Sequence, residues 1–140
     1  MLSKPERIAL LALEGVVGVT ALVSAPILAR TGMGMPTAWL LEQTPFTSYA
    51  IPGVLLGLVG AANLGAGLLA LKGRALAAPA AVFAGLVMVT FEAYQVATMP
   101  HSSLQAVYFA VGALTAAIGA HWLLANGTPV RHHRPAHGAL

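Results

Sequence analysis

Apolar residues run almost unbroken through four stretches of this chain, at about 8–28, 50–71, 75–99 and 104–124. Polar and turn-forming residues gather between them: the lead 1–7, the connection 30–48, Lys72-Gly73-Arg74, Pro100-His101-Ser102-Ser103 and the tail 129–140. An apolar helix of about 20 residues, rising about 1.5 Å per residue, crosses the ~30 Å hydrocarbon core of a bilayer. Each stretch therefore predicts a membrane span, and the expected fold is all-α, an integral membrane four-helix bundle occupying 1–128. The basic start and the small residues near Ala29 also fit a cleaved signal peptide, but Glu14 inside the run and its length fit a retained span better.

The stretch from Pro45 to Leu71 carries the most information. Gly53, Gly57, Gly60 and Gly67, with Asn63, fall within about a third of the circumference of a helix. Such a face predicts a second helix packed closely on it. The triplet Lys72-Gly73-Arg74 is short enough to make the second and third spans antiparallel neighbours, and Pro79 stands early in the third, where proline costs least. In the connection, Thr37 to Thr44 predicts an interfacial hairpin or short helix, with Trp39, Leu40 and Phe46 at headgroup level. Asn126-Gly127 predicts the stop of the fourth span, and the tail 129–140 is expected to be disordered.

Composition agrees with this pattern. Of 140 residues 58% are hydrophobic and only 8% charged, with no aspartate, against about 25% charged in soluble domains. The net charge of +3 comes from lysines and arginines spread in pairs, which does not point to nucleic acid. Lys4, Arg7, Lys72, Arg74, Arg131 and Arg134 fall on one side of a four-span arrangement and Arg30 alone on the other. The positive-inside rule then makes both termini cytoplasmic. The absence of cysteine excludes disulfides, thiol redox chemistry and thiolate metal sites. No internal repeat is strong enough to suggest inverted transporter halves.

Ionisable residues inside a bilayer are costly and mark candidate function. Glu92 has company: Gly85, Met88, Glu92, Gln95 and Met99 repeat at three and four residues and share one face of the third helix. Tyr108 of the fourth span lies at similar depth, and the loops add Tyr49, His101 and Gln105. These predict an outward-opening polar pocket, capped by the Trp39 to Tyr49 segment, for a small molecule, an ion or a quinone headgroup. The simpler reading, ranked ahead of it, is hydrogen bonding between helices. Glu14 heads a small-residue stripe with Gly18, Ala21 and Ala25, and Asn63 is its expected partner, as interhelical glue or as a proton-titrating pair. His121 either joins the polar contacts within the membrane or snorkels to the headgroups.

No nucleophile with its base, phosphate loop, two-carboxylate hydrolytic pair or metal-ligand cluster stands out, so no catalytic residue is assigned. Haem within one subunit would need two histidines at one depth, and His101 and His121 fall on opposite sides; a haem shared between subunits stays open. The tail histidines could hold a metal weakly, but a basic tail attracted to anionic lipid is the plainer reading. Asn126-Gly127-Thr128 matches a glycosylation sequon that is idle on the cytoplasmic side.

Pro36, Trp39, Leu40, Glu42, Thr44-Pro45-Phe46, Tyr49 and Ile51-Pro52-Gly53, followed by a glycine-rich span and a late Gln95, resemble a signature of small bacterial four-span proteins described as uncharacterised conserved membrane proteins. The layout is also distantly similar to DoxX-like four-helix membrane proteins, although Asn63 stands where that family carries an acidic residue. The resemblance implies a four-span bundle in a bacterial inner membrane and transfers no activity or catalytic residue. Three functions follow, in this order. The first is a non-enzymatic structural or accessory protein, as a homo-oligomer or a subunit of a larger membrane complex. Next comes binding or transport of a small lipophilic or protonatable molecule. The third is a redox component with a bound quinone or shared haem.

Overall fold

The computed structural model describes residues 3–126, so the tail 129–140 and the last two sequon positions lie outside the described residues. Among these residues the chain forms five α-helices and no strand: α1 Lys4–Thr31, α2 Thr37–Gln43, α3 Ala50–Leu71, α4 Ala77–Thr98 and α5 Ser103–Asn126. Four of them, all but α2, are long and apolar enough to cross a membrane. The protein is an all-α, multi-pass membrane bundle.

Helix ends follow local chemistry. The α1 helix starts four residues before the apolar run because Ser3 caps it: the Ser3 hydroxyl accepts from the Glu6 N–H, and the Glu6 carboxylate accepts from the Ser3 N–H. It runs on to Thr31, where Gly32 turns left-handed (φ 62°) and returns its N–H to the Leu28 carbonyl. Pro26 sits inside α1 and removes one backbone bond, that to Leu22. The α4 helix stops at Thr98 because Met99 precedes Pro100 and takes an extended conformation (φ −126°, ψ 157°). At the end of α3, Gly73 is left-handed (φ 61°) and the Arg74 N–H reaches back 3.0 Å to the Leu69 carbonyl.

Packing is built from two antiparallel pairs, α1 with α3 and α4 with α5, joined by α3 against α4 and by a light contact of α1 with α5. Glycine makes the pairs close. A Cβ on Gly60 would lie 2.9 Å from the Leu22 nitrogen, and one on Gly53 would lie 2.7 Å from the Ala29 nitrogen. In the second pair, a Cβ on Gly85 would come within 2.5 Å of the Gly112 carbonyl oxygen and the Ala116 nitrogen. The partner of the second span's glycine face is thus α1, whose buried residues Leu10, Glu14, Val17, Gly18, Ala21, Ala25 and Leu28 recur at three and four residues. Val16, Val54, Phe83 and Leu114 remain on the outside, where the bilayer covers them.

Lys4, Arg7, Lys72 and Arg74 sit at one end of the bundle and Arg30 at the other. At the basic end the Arg7 guanidinium donates to the Leu71 carbonyl, tying the start of α1 to an otherwise unpaired carbonyl at the end of α3. At the opposite end the connection after α1 folds over the bundle, with Leu40 of α2 fully buried against Leu28 and Tyr49.

Candidate functional site

At the Arg30 end the two helix pairs separate around a cavity of about 580 Å³. All five residues expected at a ligand site, Glu92, Gln95, Tyr108, Tyr49 and His101, line it. On α4 the helical repeat is responsible, since Met88, Glu92, Gln95 and Met99 present one stripe to the cavity. Gly85, on the same stripe, falls below the cavity where α5 closes on it. The connection supplies Met33, Met35 and Trp39 as a cover.

The five residues are not equivalent. Glu92 is 5% exposed, and its Oε2 is buried with no hydrogen-bond partner. Tyr49 is buried and its hydroxyl donates to the Pro36 carbonyl at 2.9 Å; burial pushes its phenol above the ordinary range, so it stays a neutral donor. Tyr49 is therefore committed to latching the cover. Gln105, also on the wall, is committed to the α4–α5 turn, accepting from the Ser102 N–H at 2.9 Å and donating to the Pro100 carbonyl at 3.4 Å. Gln95 and Tyr108 are half-buried on the wall, and His101 is exposed at the rim.

The cavity also includes residues absent from the expected site. Tyr94 has a buried, unpartnered hydroxyl, and its ring lies 6.4 Å from that of Phe46. It stands two residues after Glu92, off the α4 stripe, and only tertiary packing on Phe46 brings it in. Thr20 and Ser24 of α1 reach the wall as well; their spacing of four beside the Ala21–Ala25 stripe was a usable signal.

One expected polar contact differs in the structure. Glu14 and Asn63 are both fully buried but do not hydrogen-bond: Asn63 Nδ2 donates instead to the Val59 carbonyl of its own helix at 2.8 Å, and both Glu14 oxygens are unpartnered. His121 lies at the far end of α5 from the cavity. It is 71% exposed, with Nε2 3.6 Å from a Glu6 carboxylate oxygen at the start of α1. His101 and His121 lie at opposite ends of α5, about 30 Å apart along a helix, and cannot present both rings to one haem plane within a subunit. Among the described residues no group of three His, Cys, Asp or Glu is placed to hold a metal.

The site therefore offers an apolar chamber with one buried, unsatisfied carboxylate oxygen, flexible methionines and an aromatic cover. Compared with protein-family models, curated proteins and solved structures, the chain matches none.

Proposed function

We propose that this protein binds or transports a small lipophilic molecule carrying a hydrogen-bond donor or a single positive charge. The observation that carries the reading is the cavity of about 580 Å³ with Glu92 Oε2 buried and unpartnered in its wall. That volume suits a small organic ligand, and an unpaired buried oxygen gains most from a ligand that donates to it. Met33, Met35, Met88 and Met99, every methionine but Met1, line the chamber; thioether side chains adapt to irregular apolar shapes. With both termini cytoplasmic, as the charge asymmetry favours, the cavity opens to the outer side of the membrane, and the resemblance to bacterial four-span proteins supports a bacterial inner membrane.

The test is native mass spectrometry of protein extracted gently from its own membranes, wild type beside Glu92→Gln. A reproducible non-lipid mass on the wild type that disappears from a Glu92→Gln protein of unchanged helix content supports the reading. The same mass on both proteins ends it. A second reading, an accessory subunit or homo-oligomer, is favoured by α5, whose only buried residues are Gln105, Gly112, Thr115 and Gly119, leaving a long apolar face for another helix. A stoichiometric second polypeptide or a defined multimer in the same spectrum supports that reading, and a monomer carrying only lipid ends it.

A further inference from the structure

Below the floor of the cavity lies a second polar level, independent of the ligand proposed above. The floor is a packed apolar cluster: Val17 of α1, Val59 of α3, Met88 and Phe91 of α4, with Val111 of α5 against them. One helical turn further from the cavity, each helix followed in its own direction, stand Glu14, three residues before Val17; Asn63, four after Val59; and Thr115, four after Val111. On α4 the same step reaches Ala84 and Gly85, both buried and too small to hold the neighbours apart.

Glu14, Asn63 and Thr115 are each 0% exposed. Glu14 Oε1 and Oε2, Asn63 Oδ1 and Thr115 Oγ1 are all buried without a hydrogen-bond partner, while the Asn63 amide nitrogen is turned away to Val59. A buried polar atom left unpaired is costly, and four of them at one level of one small bundle is a heavy concentration. Among the described residues no positively charged side chain pairs with Glu14. On α3, Gly67 packs on Glu14, its Cβ position lying 3.5 Å from Glu14 Oε2; Asn63 of α3, Ala84 and Gly85 of α4 and Thr115 of α5 stand at the same level along the bundle. Arg7, two turns back on α1, lies at the end of the bundle, where its guanidinium donates to the Leu71 carbonyl.

We infer that the Glu14–Asn63–Thr115 level binds one exchangeable monovalent cation, Na⁺ or H⁺. Oxygen-only ligands suit a hard cation. The single carboxylate sets the charge: one positive charge leaves the level neutral, whereas a divalent ion leaves a net charge in the bilayer interior, which is strongly disfavoured. Sodium would take carboxylate, amide and hydroxyl oxygens together. A proton would sit on one Glu14 oxygen and be donated to Asn63 Oδ1 or Thr115 Oγ1. The Val17–Val59–Met88 floor separates this level from the cavity by a single turn.

The test uses the full chain in lipid nanodiscs, titrated with NaCl against choline chloride at constant ionic strength. It is read by thermal unfolding and by the infrared signal of protonated carboxyl groups. If Na⁺ is the ion, its presence at 100 times the dissociation constant raises the folded-to-unfolded ratio about 100-fold, and the affinity weakens as pH falls because protons compete for the same carboxylate. Glu14→Gln abolishes the response and Thr115→Val weakens affinity roughly tenfold. Glu92→Gln leaves it unchanged, which separates this site from the cavity. If the ion is H⁺, Na⁺ has no effect and a protonated-carboxyl signal titrates with pH in the wild type and is missing from Glu14→Gln. Should Glu14→Gln fail to fold, the wild type and Thr115→Val still decide the matter. A wild type that neither responds to Na⁺ nor changes its Glu14 infrared signal across the whole pH range in which it stays folded overturns the inference.

Discussion

Two glutamates are buried in this bundle, and their surroundings differ in one respect that decides what each can do. Around Glu14 the helices are drawn together by Gly18, Gly60 and Gly67 in one pair and by Gly85, Gly112 and Gly119 in the other. Around Glu92 the α4–α5 pair has no such closure, because α4 has no glycine beyond Gly85 and α5 none before Gly112, although α1 and α3 stay close there through Gly53. That half presents Met88, Phe91 and Tyr108 instead, and the pairs stand apart around a cavity. Lipid removes the hydrophobic drive between helices, so close contact has to come from small residues. Where they stop, space opens. One carboxylate is thus sealed at a polar level that admits something as small as an ion, and the other faces a chamber of molecular size.

The contrast breaks most readily at the glycines. Gly85→Leu puts side-chain atoms where a Cβ already lies 2.5 Å from the Gly112 oxygen and the Ala116 nitrogen, and backbone atoms cannot step aside. We expect a loss of about 3 kcal/mol or more, seen as a lower midpoint in detergent unfolding followed by circular dichroism. Gly65→Ala, which meets nothing within 4 Å, serves as the control and should be neutral or stabilising by up to about 1 kcal/mol. Equal stability of Gly85→Leu and wild type would mean that the half around Glu14 is not closed by glycine.

The next effect concerns the carboxylates themselves. In Na⁺-free medium Glu14→Met removes two unpartnered oxygens from a dry level, and apolar replacement of such a group stabilises by about 1–3 kcal/mol. Glu92→Met should change stability less, since the cavity gives that side chain room, while removing ligand binding. If the two substitutions shift the unfolding midpoint equally, the environments are not as different as the packing makes them.

Much of this contrast is visible in the residue pattern. The four apolar runs, the glycine face of α3 and the Met88, Glu92, Gln95, Met99 stripe all follow from helical periodicity, because in a membrane backbone pairing leaves little choice but helix. What periodicity misses depends on choices made between elements. Periodicity pairs Asn63 with the Glu14 carboxylate of α1, whereas its amide donates to the Val59 carbonyl one turn back on its own helix. Tyr94 enters the cavity through Phe46, a contact between α4 and a connection with no periodic signal. His121 is drawn to Glu6 because the capping box fixes that carboxylate at the start of α1, a neighbour that an isolated reading of α5 does not contain.

The smallest effect is the most local. Tyr49 closes the cover of the cavity by donating to the Pro36 carbonyl at 2.9 Å, with its ring among Leu28 and Leu40 and above Gly32, where a Cβ would come 2.6 Å from the ring. Tyr49→Phe keeps the ring and deletes only the hydroxyl, so the expected cost is about 0.5–1.5 kcal/mol. That energy holds the cover rather than the spans. Hydrogen exchange should accelerate across 32–44 and stay unchanged in α3, α4 and α5, and a bound ligand should leave faster while its association rate barely moves, since loss of a closing contact falls mainly on dissociation. Unchanged exchange in 32–44 would show that buried Leu40 alone anchors the cover. The difference between the two halves would then rest on packing at both ends, with no hydrogen-bonded latch on the open one.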